Sequence, residues 1–144
     1  MFDEQYVDPS RVNFDAFKAL DRTTPILMLN KLKFYDQARY ETGHPLANTP
    51  MTGAKAYANY GTDSGPIFSR VGGSIVWRGN FESTVIGPSD ESWDQVFIAR
   101  YPNAGAFLEM VTDPVYQQAV KHRQAAVLTS RLQRFGELAL GDTF

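Results

Sequence analysis

The chain has 144 residues, 43% hydrophobic and 21% charged, with no cysteine, a net charge of −2 and a pI of about 5.6. That length suits one ordinary domain, which buries roughly 70% of its unfolded surface and needs no metal or disulfide to hold together. The missing cysteine excludes disulfides, thiolate zinc sites and cysteine nucleophiles, and the absence of a basic excess or clustered basic face argues against nucleic acid as a partner.

The opening stretch, MFDEQYVDPS, is acidic and lacks the charged-then-apolar pattern of a signal peptide. The longest apolar run, residues 26–29, is too short to cross a bilayer. The expectation is a cytoplasmic protein without a membrane partner.

In chain order, Asp8 can cap a helix and Pro9 suits a first helical position. Val12, Ala16, Phe17 and Leu20 then recur at helical spacing, which sets residues 1–24 apart as an extension with one short helix. After Pro25, ILMLNKLKF reads as a strand apolar on both faces, hence covered on both. Residues 34–50 are polar and carry Gly, His and Pro, a loop. A helix is predicted from about Thr52, carrying Ala54, Tyr57, Ala58 and Tyr60; Gly61 and the Asp63-Ser64-Gly65-Pro66 cluster interrupt it, and a short turn resumes near Ile67. Gly72-Gly73 opens a strand over 74–81, and a loop at 87–91 leads to a second over 93–101, together an antiparallel hairpin. Asn103 caps a helix over 104–111, and Asp113-Pro114 starts another over 115–128. A last strand, 130–135, ends at Gly136, leaving 137–144 as a tail.

Residues 25–136 thus follow the order β-α-β-β-α-β, that of an α+β ferredoxin-like fold with a four-stranded antiparallel sheet. Helices cover only one side of such a sheet. Ile75 and Trp77 against Val76, and Phe97 and Ala99 against Val96 and Ile98, make both faces largely apolar. An apolar face left in water is an association site, and a twofold homodimer packed sheet on sheet covers it.

The segments PILMLNKLKF, MTGAKAYANYG, FSRVGGSIVWRG and VIGPSDESWDQVFIARYPNAGAFLEMVTDPVYQQAVKHRQAAVLTSRL, in this order over about residues 25–133, carry a resemblance. The chain resembles the dimeric α/β-barrel superfamily, and within it the family known as domain of unknown function 1330. The resemblance implies a ferredoxin-like homodimer and no particular reaction. Relatives in the superfamily include cofactor-free monooxygenases, haem-degrading enzymes and muconolactone isomerase-like enzymes, with pockets commonly between sheet and helices; fold alone does not assign chemistry.

Arg123 is the most informative residue. Val115, Tyr116, Ala119, Val120, Ala126 and Val127 define an apolar stripe on the last helix, and Arg123 falls near its middle. A guanidinium aimed at a sheet must meet a carboxylate, backbone carbonyls or a bound anion. It is either a structural ion-pair partner or an anchor for a small carboxylate or enolate. His122, beside it, is either a surface histidine or an acid–base group at a pocket edge. Asn30 interrupts an apolar strand, either bonding nearby backbone or facing the pocket, where the resemblance also puts it. Tyr60 and Tyr57 read first as packing residues with tethered hydroxyls, and Tyr60 joins the ligand-binding candidates. Arg70 is a surface arginine or a charge at the pocket mouth. Trp77 and Trp93 are core or interface residues or a stacking wall. Arg100 is a sheet-edge or intersubunit charge, and Asp94 and Glu109 are candidate partners for the arginines.

No nucleotide-binding glycine pattern and no G-x-S-x-G nucleophile appears. His44 and His122 alone cannot hold a metal, and no cofactor is expected. The leading reading is a homodimer with one small-molecule pocket per subunit, its candidate catalytic residues His122 and Arg123, its ligand contacts Asn30, Tyr60, Arg70, Trp77 and Arg100. Proton transfer near a carbonyl and cofactor-free oxygenation are the chemistries such a pocket suits. The rival is a structural or accessory dimer with a filled core, and a third reading is haem held by His122.

Overall fold

A computed structural model describes residues 4–144. Eight elements follow in order: α1 (Arg11–Ala19), β1 (Ile26–Phe34), α2 (Gly53–Arg70), β2 (Ser74–Gly79), β3 (Gln95–Tyr101), α3 (Ala104–Thr112), α4 (Pro114–Ala126) and β4 (Val127–Gly136). The strands form one antiparallel sheet in the order β2-β3-β1-β4. This is the ferredoxin-like arrangement expected from the element order.

Register decides which side chains meet. Met28 lies opposite Ala99 and Arg134, Asn30 opposite Phe97 and Leu132, and Leu32 opposite Gln95 and Ser130. Because side chains alternate along a strand, these residues share the face that meets the helices. Two apolar clusters fill that layer. One joins Ile26, Met28, Ala99 and Tyr101 to Phe107, Met110 and Tyr116. The other joins Leu32 to Ala56, Tyr57, Ala126 and Val127. Leu27, Leu29, Val96 and Ile98 alternate to the opposite face, where Trp77 and Phe135 keep about half their surface exposed (50% and 49%).

Several local expectations are corrected. The helix from Thr52 is not interrupted: α2 runs unbroken to Arg70 through Gly61, Gly65 and Pro66. Its buried residues, Gly53, Ala56, Tyr57, Ser64 and Ile67, keep one continuous face across the breakers. Burying that face outweighs a cost of about 1 kcal/mol per glycine and about 3 for proline. The Ser64 hydroxyl also donates to the Tyr60 carbonyl at 2.6 Å. At the start of α1, Ser10 rather than Asp8 is the cap, accepting from the Asn13 amide at 3.1 Å. The Trp93–Tyr101 strand begins only at Gln95, and the preceding one ends at Gly79. β4 follows α4 with no intervening loop. Val115 lies off the buried stripe of α4, 60% exposed.

Strand β2 carries the most consequential irregularity. Ile75 pairs with Ala99, yet Trp77 pairs with Ile98, so Val76 is an extra residue. A bulge of this kind flips every later side chain to the other face. Trp77 therefore lies on the face opposite Ile75, and Arg78, opposite Phe97, turns toward the helices.

Two glycines are required by geometry. A Cβ at Gly53 would lie 2.1 Å from the Tyr35 carbonyl oxygen and 2.9 Å from that of Ala126, so only glycine lets α2 begin against the ends of β1 and α4. Gly72 has φ of +90° in the turn before β2, as its pairing with Gly73 suggests.

The N-terminal extension docks on β4 and on the helix side. The Tyr6 carbonyl accepts from the Ser130 amide at 2.8 Å, and the Tyr6 amide donates to Thr129 Oγ1 at 3.1 Å. Phe14 and Phe17 of α1 pack on the first core cluster, with the Phe17 and Phe107 rings 5.1 Å apart. Arg134 donates to the carbonyls of Phe17 and Asp21 and stacks on the Phe17 ring.

Candidate functional site

Helix α4 positions the central residue. Asp113 caps it, accepting from the Val115 amide at 2.7 Å, and Pro114 opens it. Tyr116, Ala119 and Ala126 are buried against α2 and the sheet, which aims Arg123, half-buried, toward β4. Its Nη2 donates to Ser130 Oγ at 3.2 Å and its Nη1 to the Val7 carbonyl. Among the described residues no carboxylate comes within ion-pair distance of it. Among those residues the inward guanidinium has neutral partners only.

Arg123 opens on a cleft of about 1350 Å³ between the sheet and the helices, closed on one side by the N-terminal extension. Met28, Phe97, Phe68 and Phe107 give it apolar walls, and Tyr57, Tyr60, Tyr101 and Tyr116 bring phenols. The Tyr60 and Tyr116 hydroxyls bond each other at 2.8 Å. Asn30 also lines it, its Nδ2 donating to the Met28 carbonyl at 3.0 Å. Among the described residues the lining includes Arg78, Arg123 and Arg134, against one carboxylate, Asp8, and no histidine, while Arg131 of the lining turns its guanidinium over the Trp93 ring on the other sheet face. A cleft so lined is positive.

Burial pushes the phenols of Tyr57, Tyr60, Tyr101 and Tyr116 above the ordinary tyrosine value. The Arg123 charge opposes that rise at Tyr57, Tyr60 and Tyr116, so its field reaches all three. At neutral pH these hydroxyls are protonated and act as hydrogen-bond donors. Donors, a guanidinium and an amide together can hold an anionic oxygen and a flat apolar body.

The structure brings together Arg123, Asn30 and Tyr60. It puts His122 elsewhere, outside the cleft lining. His122 Nδ1 is 2.6 Å from the Tyr40 hydroxyl and Nε2 is 3.0 Å from Asp63 Oδ2. Tyr40 stacks on His44 at 4.6 Å, and burial, then the neighbouring His122, holds His44 below the ordinary histidine value. With both ring nitrogens engaged, His122 has none left for a haem iron. Arg70 bridges Glu109 at 3.1 Å and Asp113 at 2.8 Å, tying α2 to the α3–α4 junction. Arg100 pairs with Glu137 at 2.6 Å. Trp77 lines a separate hollow of about 360 Å³ with Lys31 and Trp93 on the other sheet face. Arg70, Trp77 and Arg100 do not line the large cleft.

Arg78 and Tyr116 of the lining were not singled out from the sequence. Simple alternation places Arg78 opposite Ile75, and only the bulge at Val76 reverses it. Tyr116 reads as one more apolar residue of the α4 stripe. Among the described residues no group of three His, Cys, Asp or Glu side chains could hold a metal ion, and no helix is long and apolar enough to cross a membrane.

The family model described as "Domain of unknown function (DUF1330)" matches residues 42–132, a stretch that includes Arg123 and leaves out β1 with Asn30. Two crystal structures of RPA0582, a protein of unknown function from Rhodopseudomonas palustris, are 51% identical to the chain. One covers 95% of this chain and 100% of its own with a TM-score of 0.87; the other, of the methylated protein, covers 96% and 98% with 0.88. SnoaB, a cofactor-independent oxygenase from Streptomyces nogalater, is 14% identical over 83% of this chain and 99% of its own, with a TM-score of 0.49, too distant to bear on chemistry. No curated protein matches the chain.

Proposed function

Since the chain belongs to the DUF1330 family, whose function is unknown, we propose, from its own site, that it binds a small organic anion with a flat apolar body in the cleft beside Arg123. One observation carries this reading. Among the described residues Arg123 turns inward with only the Val7 carbonyl and the Ser130 hydroxyl as partners, and it faces a roomy cleft with apolar walls. A desolvated charge is costly unless something opposes it, and a ligand carboxylate or enolate does so. Asn30 and the Tyr60–Tyr116 hydroxyl pair supply further polar contacts.

The same set limits the chemistry. Asp8, the one carboxylate of the described lining, is exposed and accepts from the Gln124 side-chain amide at 3.2 Å, so no carboxylate of that lining is buried as a base would be beside the apolar walls. The cleft favours a substrate that arrives ionised and a reaction helped by holding negative charge on oxygen. Cofactor-free oxygenation of an electron-rich ring suits it better than proton abstraction, which needs a base in reach. His122 is at most a positioning residue, since its ring faces Tyr40 and Asp63.

The test is a dye-based melting screen against small carboxylic acids, phenols and haem. Aromatic or alicyclic carboxylates raise the melting temperature of the natural protein, and the rise vanishes in Arg123→Ala while that variant stays folded. Shifts of equal size in Arg123→Ala overturn the reading.

The proposal includes a homodimer. Trp77 and Phe135 stand half-exposed on a sheet face that also carries Leu27, Leu29 and Ile98, and a second copy packed sheet on sheet covers them. Sedimentation equilibrium should give twice the 16.2 kDa chain mass, and Trp77→Glu should return a monomer. A monomeric natural protein at micromolar concentration contradicts this part alone.

A further inference from the structure

The Tyr57 hydroxyl is the odd group of the cleft. Tyr57 is 7% exposed and packs its ring against Phe34 and Tyr60. The other three cleft phenols have partners: Tyr60 and Tyr116 bond each other, and Tyr101 points its hydroxyl at Met110 Sδ, 3.8 Å away. Among the described residues the Tyr57 hydroxyl has no hydrogen-bond partner. Yet no side-chain oxygen or nitrogen there is both sealed from solvent and unpartnered. Its hydroxyl therefore opens on the cleft that Tyr57 lines. A nearly buried donor left without an acceptor is costly unless a guest supplies one.

Two cations line the same cleft as this donor. Arg123 and Arg78 both oppose the rise that burial causes in the Tyr57 phenol, so both charges lie within electrostatic reach of it. Arg78 enters the lining from β2 through the bulge at Val76, and no carboxylate pairs with it among the described residues. Burial keeps Tyr57 protonated at neutral pH, so it donates. One hydroxyl donor sharing a cleft with two guanidinium groups that no described carboxylate pairs matches two acidic oxygens on one ligand better than a single charge.

We infer that Tyr57, Arg78 and Arg123 form one locus that selects a dianion, a flat ring bearing a carboxylate and a second ionised acidic group. Arg123 takes the inner carboxylate, Arg78 the outer group at the mouth, and Tyr57 donates to an oxygen between them. The inference rests on the anion-binding reading above and adds the charge of the ligand and the residues that count it.

Isothermal titration with benzoate, phthalate and isophthalate at pH 7.5 tests it on the full chain. The better of the two dicarboxylates should bind at least about tenfold tighter than benzoate, matching one charge-assisted contact. Arg78→Gln should shrink that preference to about threefold or less, and Tyr57→Phe, which keeps the ring, should weaken dicarboxylate binding about tenfold. Circular dichroism checks each fold; if Tyr57→Phe is unfolded, the exposed Arg78→Gln carries the test. Equal affinity for benzoate and both dicarboxylates in the natural protein overturns the dianion inference and leaves anion binding standing. So does a preference that survives both variants. Benzoate binding that is unchanged in Arg123→Gln overturns the underlying reading instead.

Discussion

His122 and Arg123 are neighbours on α4, yet their side chains leave the helix about 100° apart and end in opposite surroundings. His122 is enclosed by protein, with Tyr40 on one nitrogen and Asp63 on the other. Arg123 reaches a carbonyl and a hydroxyl, and beyond them a cleft that, among the described residues, offers no carboxylate except Asp8. Both are half-buried polar residues on a helix that buries one face. The difference between them is whether the protein completes their bonding. The histidine is complete and ties the loop before α2 to α4; the arginine is incomplete and faces the space where a ligand fits.

The largest expected effect erases the comparison by moving the end of α4 under both residues. Gly53→Ala forces a methyl against the Tyr35 and Ala126 carbonyls, and it should cost more than about 3 kcal/mol in urea unfolding. Ligand affinity and the His122 contacts should go together. Next, Arg123→Gln should weaken an aromatic carboxylate by about tenfold to a hundredfold, the worth of a charged hydrogen bond. Its melting temperature should change little, because losing the bonds to the Val7 carbonyl and the Ser130 hydroxyl is offset by removing a partly desolvated charge. The converse holds for His122→Ala, which should lose about 1–2 kcal/mol of stability with its two hydrogen bonds and leave ligand affinity unchanged; denaturant curves and calorimetry separate the two outcomes.

The smallest effect is one of pH. Burial holds Tyr57, Tyr60, Tyr101 and Tyr116 above the ordinary value of 10.0. The unfolded chain loses those protons first, so stability should fall as pH rises past 10. Ultraviolet titration should show these phenols ionising only as the fold opens, with a bound carboxylate delaying that step.

The sequence made much of the fold legible because each strand and helix carries its own signals. Asn103 and Asp113 cap α3 and α4 as read, and the element order leads to the sheet order. Arg123 was legible for the same reason: a charge in the middle of an apolar stripe contradicts its setting. What stayed hidden depends on register and tertiary packing. Gly61 and Pro66 look like breaks until the buried face of α2 outweighs them. Arg78 alternates to the wrong face until one extra residue shifts it. His122 adjoins Arg123 in sequence, but Tyr40 and Asp63, which claim its ring, come from distant segments whose approach no local pattern announces.

The most direct measurement is calorimetric titration of benzoate into the natural protein, His122→Gln and Arg123→Gln under one buffer at pH 7.5. The account predicts matching affinities, to about twofold, for the first two and a loss of at least about tenfold for the third. The same affinity in all three, or a loss confined to His122→Gln, contradicts it.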